Sequence, residues 1–391
     1  MNGAIDPATA RADIDLGAFR ANVAVIKRLV GETKMMVVVK ADGYGHGMLE
    51  CAREARVAGA DWLGVATPAE ALALREAGDS GRLLAWLYGT DEDLSTLVAA
   101  DVDVSAQSVD QVSRLTAAAA IAERRARVHL KIDTGLSRNG ASPQAWPDVC
   151  AAAAEGEASG ALQVVGIWSH FAAADEPGHP ATDRQIDAFF DAEKQARTIG
   201  LQPKLRHLSN SAGALVVPDA RLDLVRVGIA AYGIDPAPGI AALAGVALRP
   251  VMTIRAQLIN VKRLAPGAGV SYGWTWTATE PTTVGLVPLG YADGIPRHAG
   301  NTARVGWRGG QAPVRGRICM DQFVVDLGDS SASVGDDLVV FGTGDDGEPT
   351  AEDWAKWCDT IGYEIVTRIG TRVPRMFISG TRSGESEAQA T

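Results

Sequence analysis

The 391-residue chain is 47% apolar and 21% charged, enough apolar sequence for a large core and, at this length, for two domains. Its 37 Lys plus Arg against 47 Asp plus Glu give a net charge of −10 with no basic run, which argues against nucleic acid as a partner. No stretch is apolar over a membrane span and the N-terminus MNGAIDPATARADID lacks a basic head with an apolar run, so a soluble, cytoplasmic protein without a membrane partner is expected.

From residue 35 to 228, β-rich runs alternate with Ala-rich helical stretches. The runs are MMVVVK at 35, WLGVA at 62, RLLAW at 82, DVDVS at 101, RVHLKI at 127, VVGIWS at 164, KLRHLS at 204 and LDLVRVG at 222; helical pattern covers 47–59, 68–78, 106–124 and 180–199. Strand-helix alternation predicts parallel strands with crossovers, and eight units in roughly 200 residues fit a (β/α)8 TIM-type barrel better than an open sheet. The barrel is expected over 10–243. Beyond it, VMTIRAQLINVKRL, TTVGLVPLGYADG, ICMDQFVVDLG and DDLVVFGTG are strand-like, with helical pattern returning only near 350–361. This predicts a mostly β C-terminal domain over 244–382, followed by a disordered tail, 383–391. Four scattered cysteines without a CxxC pair and six histidines without ligand spacing predict neither disulfide nor metal.

The run MMVVVK ends on Lys40 and is followed by ADGYGHG. A lysine at a strand end is ordinarily a solvated cap. The alternative is an amine at the mouth of a core, where burial lowers its pKa and frees it to attack a carbonyl. Barrel active sites gather at the C-terminal ends of the strands, and the unusual residues cluster there: Lys40 after the first strand, Arg138 in IDTGLSR after the fifth, His170 in SHF after the sixth, then HLSNS and VGIAAYG after the seventh and eighth. The last two loops are the habitual phosphate site of such barrels, where Ser211 offers a hydroxyl and Gly228 and Ile229 offer amides. A phosphate site and a strand-end lysine on one mouth point to pyridoxal 5'-phosphate held as a Schiff base.

With those residues in view, VVVKADGYGHG, HLKIDTGLSRNG, SHFAAADE, LSNSAGAL, VRVGIAAYG, VSYGWTW, GYADGIPRH, GRICMDQ and RVPR together resemble alanine racemases, in order and over nearly the whole chain. The resemblance implies interconversion of L- and D-alanine by two-base proton transfer at Cα, with D-alanine supplied to peptidoglycan. Lys40 would carry the cofactor and act as base on one face, and Tyr272 of VSYG on the other. A phenol needs help to act at neutral pH, which the family provides through His170 and Arg226. An arginine facing the pyridine nitrogen can only donate, so the ring stays unprotonated, which weakens the electron sink and favours racemisation over transamination. Arg138 would bind the cofactor's phenolic oxygen and, with the amide of Met320, the substrate carboxylate. Tyr44, Ser211, Gly228 and Ile229 would hold the phosphate, and Asp321 would steady the site. Lys131 aligns with a lysine carbamylated in many members, a modification that removes its repulsion of Arg138. The family assembles as a head-to-tail homodimer with shared sites.

Other readings remain for single residues. His170 on an apolar strand and Tyr272 beside Trp274 and Trp276 could be structural; Cys319 reads as a packed thiol; His46, Asp42 and His207 as loop-shaping; Asp175, Arg297 and Arg317 as an entrance lining or a solvated face. Thr371 stands where many members have a tyrosine, which predicts a looser pocket and appreciable serine turnover. Gly43, Gly45 and Gly47, with Asp61 eighteen positions after Gly43, raise a dinucleotide-binding rival, but the spacing is GxGxG, not GxGxxG. A non-catalytic cofactor carrier could end with the barrel, and Arg226 opposes a barrel-type decarboxylase.

Overall fold

All eight β-rich runs form strands in the computed structural model, which describes residues 4–379. After β1 (Ala10–Asp15) come β2 (Lys34–Val38), β3 (Trp62–Val65), β4 (Arg82–Ala85), β5 (Asp103–Ala106), β6 (Ala126–Lys131), β7 (Leu162–Trp168), β8 (Leu205–His207) and β9 (Leu224–Val227). β2 through β9 form one parallel sheet in the order β8-β7-β6-β5-β4-β3-β2-β9. Arg226 N–H to Ser209 O (3.0 Å) and Asp223 N–H to Arg206 O (3.2 Å) bridge the remaining seam, closing the barrel. Helices begin where the sequence caps them: Thr67 and Glu70 form a capping box with Pro68 as first helical residue, and the Ser108 side chain accepts from Gln111 N–H, each supplying a donor-rich terminus with an acceptor.

The second sheet has nine strands. β10 (Met252–Gln257), β11 (Asn260–Leu264), the two-residue pair β12 (Gly269–Val270) and β13 (Trp276–Thr277), β14 (Thr282–Val287), β15 (Arg304–Trp307), β16 (Gly310–Arg315), β17 (Phe323–Gly328), β18 (Asp337–Phe341) and β19 (Arg375–Ile378) follow the barrel. Their order is β11-β14-β17-β16-β15-β18-β10-β1-β19, with β12 and β13 apart. β1 pairs antiparallel with β10 and parallel with β19. The span expected for the barrel, 10–243, therefore takes in one strand whose hydrogen bonds belong to the other sheet. ARADID alternates buried and half-buried residues, a pattern that marks a strand without saying which sheet receives it. Two short helices, Ala351–Trp357 and Gly362–Thr367, carry the second domain to the barrel mouth. The expected disorder of 383–391 lies outside the described residues. Among them, no helix is long and apolar enough to cross a membrane.

Candidate active site

Lys40 follows β2 and opens a left-handed turn. Ala41, Asp42 and Tyr44 have φ of 53°, 52° and 53°, a conformation that costs an L-residue roughly 1–2 kcal/mol. Hydrogen bonds hold the turn against that cost: Ala41 N–H donates to Glu70 Oε1 (2.7 Å), Met48 N–H to Asp42 Oδ1 (2.9 Å), and buried His46 Nδ1 meets the carbonyls of Gly43 and Tyr44 at 3.1 and 2.9 Å, so Nδ1 carries its proton. Gly45, at φ 81°, admits no side chain, since a Cβ would lie 2.6 Å from Val366 O. The glycines that raised the dinucleotide reading serve a strained turn packed against the second domain, and strain of this kind concentrates at functional sites.

The turn delivers Lys40 to a cavity of about 300 Å3 at the C-terminal ends of the barrel strands. Lys40 and Tyr44 line it from the turn, Lys131 from the end of β6, and Arg138 and His170 from the loops after β6 and β7. Arg226 joins them from β9, Ser211 from the start of the helix after β8, and Gly228 and Ile229 from the turn after β9. Burial, and then the Arg138 charge, lower the Lys40 amine below the usual lysine range, with Glu70 opposing.

Arg226 is almost wholly buried. NH1 donates to His207 O (2.9 Å) and His207 Nδ1 (3.3 Å), and NH2 to Ser169 O (2.8 Å), Leu208 O (3.0 Å) and His170 Nδ1 (3.2 Å). Among the described residues Nε has no acceptor. Burial draws the guanidinium down to about 9, while three carbonyl acceptors favour its charged form. The same environment pushes His170 well below the ordinary histidine range, by burial first and then by Arg226. His170 is thus neutral, accepts at Nδ1 and carries its proton on Nε2.

Elsewhere in the lining, Ser211 Oγ accepts from Gly228 N–H at 2.9 Å, while Ile229 N–H and the Tyr44 hydroxyl have no partner among the described residues. Lys131 lies with Nζ 4.3 Å from the Trp168 ring centre. Burial, then Arg226 and Arg138, lower its amine to about 7.

Both parts of the chain match one family: residues 14–236 match "Alanine racemase, N-terminal domain" and 251–377 "Alanine racemase, C-terminal domain". The chain is 51% identical to an alanine racemase of Frankia casuarinae over 365 residues, 93% of this chain and 95% of that one. Its structure is similar to that of alanine racemase from D-cycloserine-producing Streptomyces lavendulae (TM-score 0.94, 48% identity, 96% of this chain and 99% of that one). It is likewise similar to that from Streptomyces coelicolor (TM-score 0.93, 50% identity, 95% and 99%). The chain belongs to the alanine racemase family. It is an enzyme of that class, and racemisation of alanine is its activity.

Not every residue expected in the racemase site reaches the cavity. Tyr272 and Met320 lie on the second domain, 70% and 54% exposed, outside the lining. They form one surface, because Ser271 Oγ donates to Arg317 O (2.6 Å) and ties the Tyr272 turn to the Met320 loop. Met320 O accepts from Ala292 N–H (2.9 Å), whereas its own N–H has no acceptor among the described residues. Asp321 accepts from Arg372 (2.8 Å), away from the cavity. Asp175, Arg297 and Arg317 are exposed and do not line it.

Thr371 is exposed too; the turn Gly370–Thr371–Arg372 faces Arg372 toward Asp293 and Asp321. The second-domain residue that lines the cavity is Tyr363, its ring 6.4 Å from that of Tyr44. Trp86, Trp168 and Asn210 also line it and were not singled out from sequence. Trp86 and Trp168 stand at strand ends on the same mouth, so the positional rule that found Lys40 reaches them as well.

Proposed function

We propose that the chain interconverts L- and D-alanine with pyridoxal 5'-phosphate, as a head-to-tail homodimer in the cytoplasm, supplying D-alanine for peptidoglycan. The observation that carries the cofactor reading is a set of donors, on residues that line one cavity, without partners among the described residues: the Lys40 amine, Arg226 Nε–H, the Ile229 amide and the Tyr44 hydroxyl. These residues fit the group. Lys40 would hold its carbonyl carbon, Arg226 its ring nitrogen, Arg138 its phenolic oxygen, and Tyr44, Ser211, Gly228 and Ile229 its phosphate. When bound, the cofactor's ring takes up electron density from the Cα–H bond and so makes that hydrogen acidic.

Lys40, with an amine lowered by burial, takes or returns the Cα proton on one face. The other face needs a second base; burial holds the phenols that line the cavity, Tyr44 and Tyr363, in their protonated form, and Tyr272, exposed on the second domain, serves from the partner subunit. His170 Nε2–H would then stabilise the phenolate, while Arg226 holds Nδ1 (3.2 Å). Arg138 and the partner subunit's Met320 N–H bind the alanine carboxylate, and Asp321 steadies Arg372. Lys131 is carbamylated: its amine, lowered to about 7, is substantially neutral at cellular pH, and the carbamate would set a negative charge among Arg226 and Arg138.

The test is circular dichroism of the holoenzyme with L-alanine, D-alanine and both serines, together with borohydride reduction of the wild type and Lys40→Ala. Equal approach to racemate from either alanine enantiomer, and loss of the visible band and of activity in Lys40→Ala, are expected. A reducible adduct at full stoichiometry in that variant would sink the Lys40 assignment.

A further inference from the structure

Inside the barrel, where bulky aliphatic layers are usual, three polar side chains run in file below the cavity. His207 Nε2 and His129 Nδ1 are 2.8 Å apart, and His129 Nε2 is 3.2 Å from Asp103 Oδ2. Both imidazoles and the carboxylate are 0% exposed. At the upper end His207 Nδ1 meets Arg226 NH1; at the lower end Asp103 Oδ1 accepts from Arg127 Nε.

The barrel wall is shaped around this file. His129 stands on β6 and His207 on β8, so their bond crosses the strand between them, β7. The residue crossed is Gly166, where a Cβ would lie 2.9 Å from His129 Nδ1 and 2.8 Å from Leu205 O. An irregularity in the β6–β7 pairing, Val128 facing Val164 and His129 facing Gly166, sets the glycine under the bond; bulges re-aim side chains in this way. Trp168 stacks on His207 at 4° between planes and 5.5 Å between centres, and is itself fixed by Nε1–H to Ser105 Oγ (3.0 Å).

The direction of every bond follows from the two ends. Arg226 only donates, so His207 Nδ1 accepts and its proton sits on Nε2. A carboxylate only accepts, so His129 Nε2 donates and its Nδ1 is left to accept from His207. We propose that Asp103, His129 and His207 are positioning residues for Arg226, a one-way relay from guanidinium to buried carboxylate that fixes which N–H Arg226 turns to the cavity and tempers its donation to the cofactor's ring nitrogen. The tempering rests on the cofactor reading above; the direction of the relay does not. Burial keeps His207 well below the ordinary histidine range, in keeping with a neutral link.

The test is NMR of the protein with nitrogen-15 histidines, before and after loading with ring-labelled pyridoxal phosphate. His129 and His207 should both be Nε2–H tautomers in either state; an Nδ1–H or charged form of either overturns the relay. In Asp103→Asn, Arg127 retains the acceptor oxygen, and the amide N–H turns to His129 and reverses both tautomers, setting a His207 N–H against Arg226. The ring-nitrogen resonance should shift and kcat fall about 10–100-fold, the usual loss on removing an orienting partner, with KM little changed. Reversed imidazoles with an unmoved ring resonance or an unchanged kcat would overturn the positioning role. Should Asp103→Asn not fold, the wild-type histidine spectrum still decides the direction. A chain that binds no cofactor gives no ring resonance but an intact histidine spectrum, which separates failure of the cofactor reading from failure of the relay.

Discussion

The Tyr44 hydroxyl occupies the space that a side chain on Gly228 would need: a Cβ there would lie 2.3 Å from Oη. The close approach of that hydroxyl calls for glycine here. Tyr44 cannot readily retreat, because its ring lies 4.8 Å from that of buried Tyr232. Gly228→Ala should leave the fold intact while displacing the hydroxyl. Overpacking costs about 1–3 kcal/mol, so cofactor affinity should weaken about tenfold or more, read by absorbance titration. Wild-type affinity in this variant would remove Tyr44 and Gly228 from the phosphate site.

Lys131 is predicted to take up carbon dioxide at a lower pH than an ordinary lysine. Carbamate forms only from the neutral amine, and burial among cations lowers this one to about 7, against about 10.4 for a free side chain. At fixed carbon dioxide pressure the carbamate should rise as pH increases through about 7. Carbon-13 NMR under labelled carbon dioxide measures it, with Lys131→Ala as the blank. An identical signal in that variant would place the carbamate elsewhere.

The turn that presents Lys40 depends on Glu70. Its carboxylate accepts from Ala41 N–H (2.7 Å), Ala66 N–H (2.8 Å) and Thr67 N–H (3.0 Å), joining the strained turn to the start of the helix that Thr67 caps. Glu70→Ala removes all three hydrogen bonds, and a single lost cap already costs about 1 kcal/mol. The unfolding midpoint in denaturant should fall accordingly, and kcat with it as Lys40 loses its placement. A variant with wild-type midpoint and kcat would show that the turn holds without Glu70.

Much of this arrangement is legible from sequence because barrel units repeat and strand ends carry function. MMVVVK, RVHLKI and LDLVRVG each read as a buried run, and Lys40, Lys131 and Arg226 stand at or near the ends of those runs. Pairing over long separations is another matter. Nothing in ARADID says that it joins β10 and β19, since alternation specifies a half-buried strand and not its neighbour. His207 reads as loop-shaping from sequence but ends β8 wholly buried, and His129, 78 positions away, draws no reading; only the pairing of β6 and β8 with β7 sets them side by side, with Gly166 vacated between them. Tyr363, eight residues before Thr371, reaches the cavity because the helix Gly362–Thr367 lies over the Lys40 turn, a docking that local sequence does not encode.

The exposure of Tyr272 makes the final prediction. A tyrosine 70% exposed with Trp274 at 71% and Met320 at 54% forms an apolar patch on one subunit, while burial holds the phenols lining the cavity of the same subunit, Tyr44 and Tyr363, in their protonated form. Two-fold pairing of patch with cavity would meet both needs at once, each site taking Lys40 from one chain and Tyr272 from the other. Consider Lys40→Ala chains and Tyr272→Phe chains, each nearly inactive alone, unfolded, mixed equally and refolded with cofactor. In every heterodimer one site then carries both substitutions and the other carries neither. With random pairing half the dimers are mixed and half of their sites are intact, so activity should recover to about a quarter of wild type. Were Tyr272 to act in its own chain's site, no intact site could arise. Activity that stays at the level of the single variants, with heterodimers demonstrated by mass spectrometry, would show that both bases come from one chain.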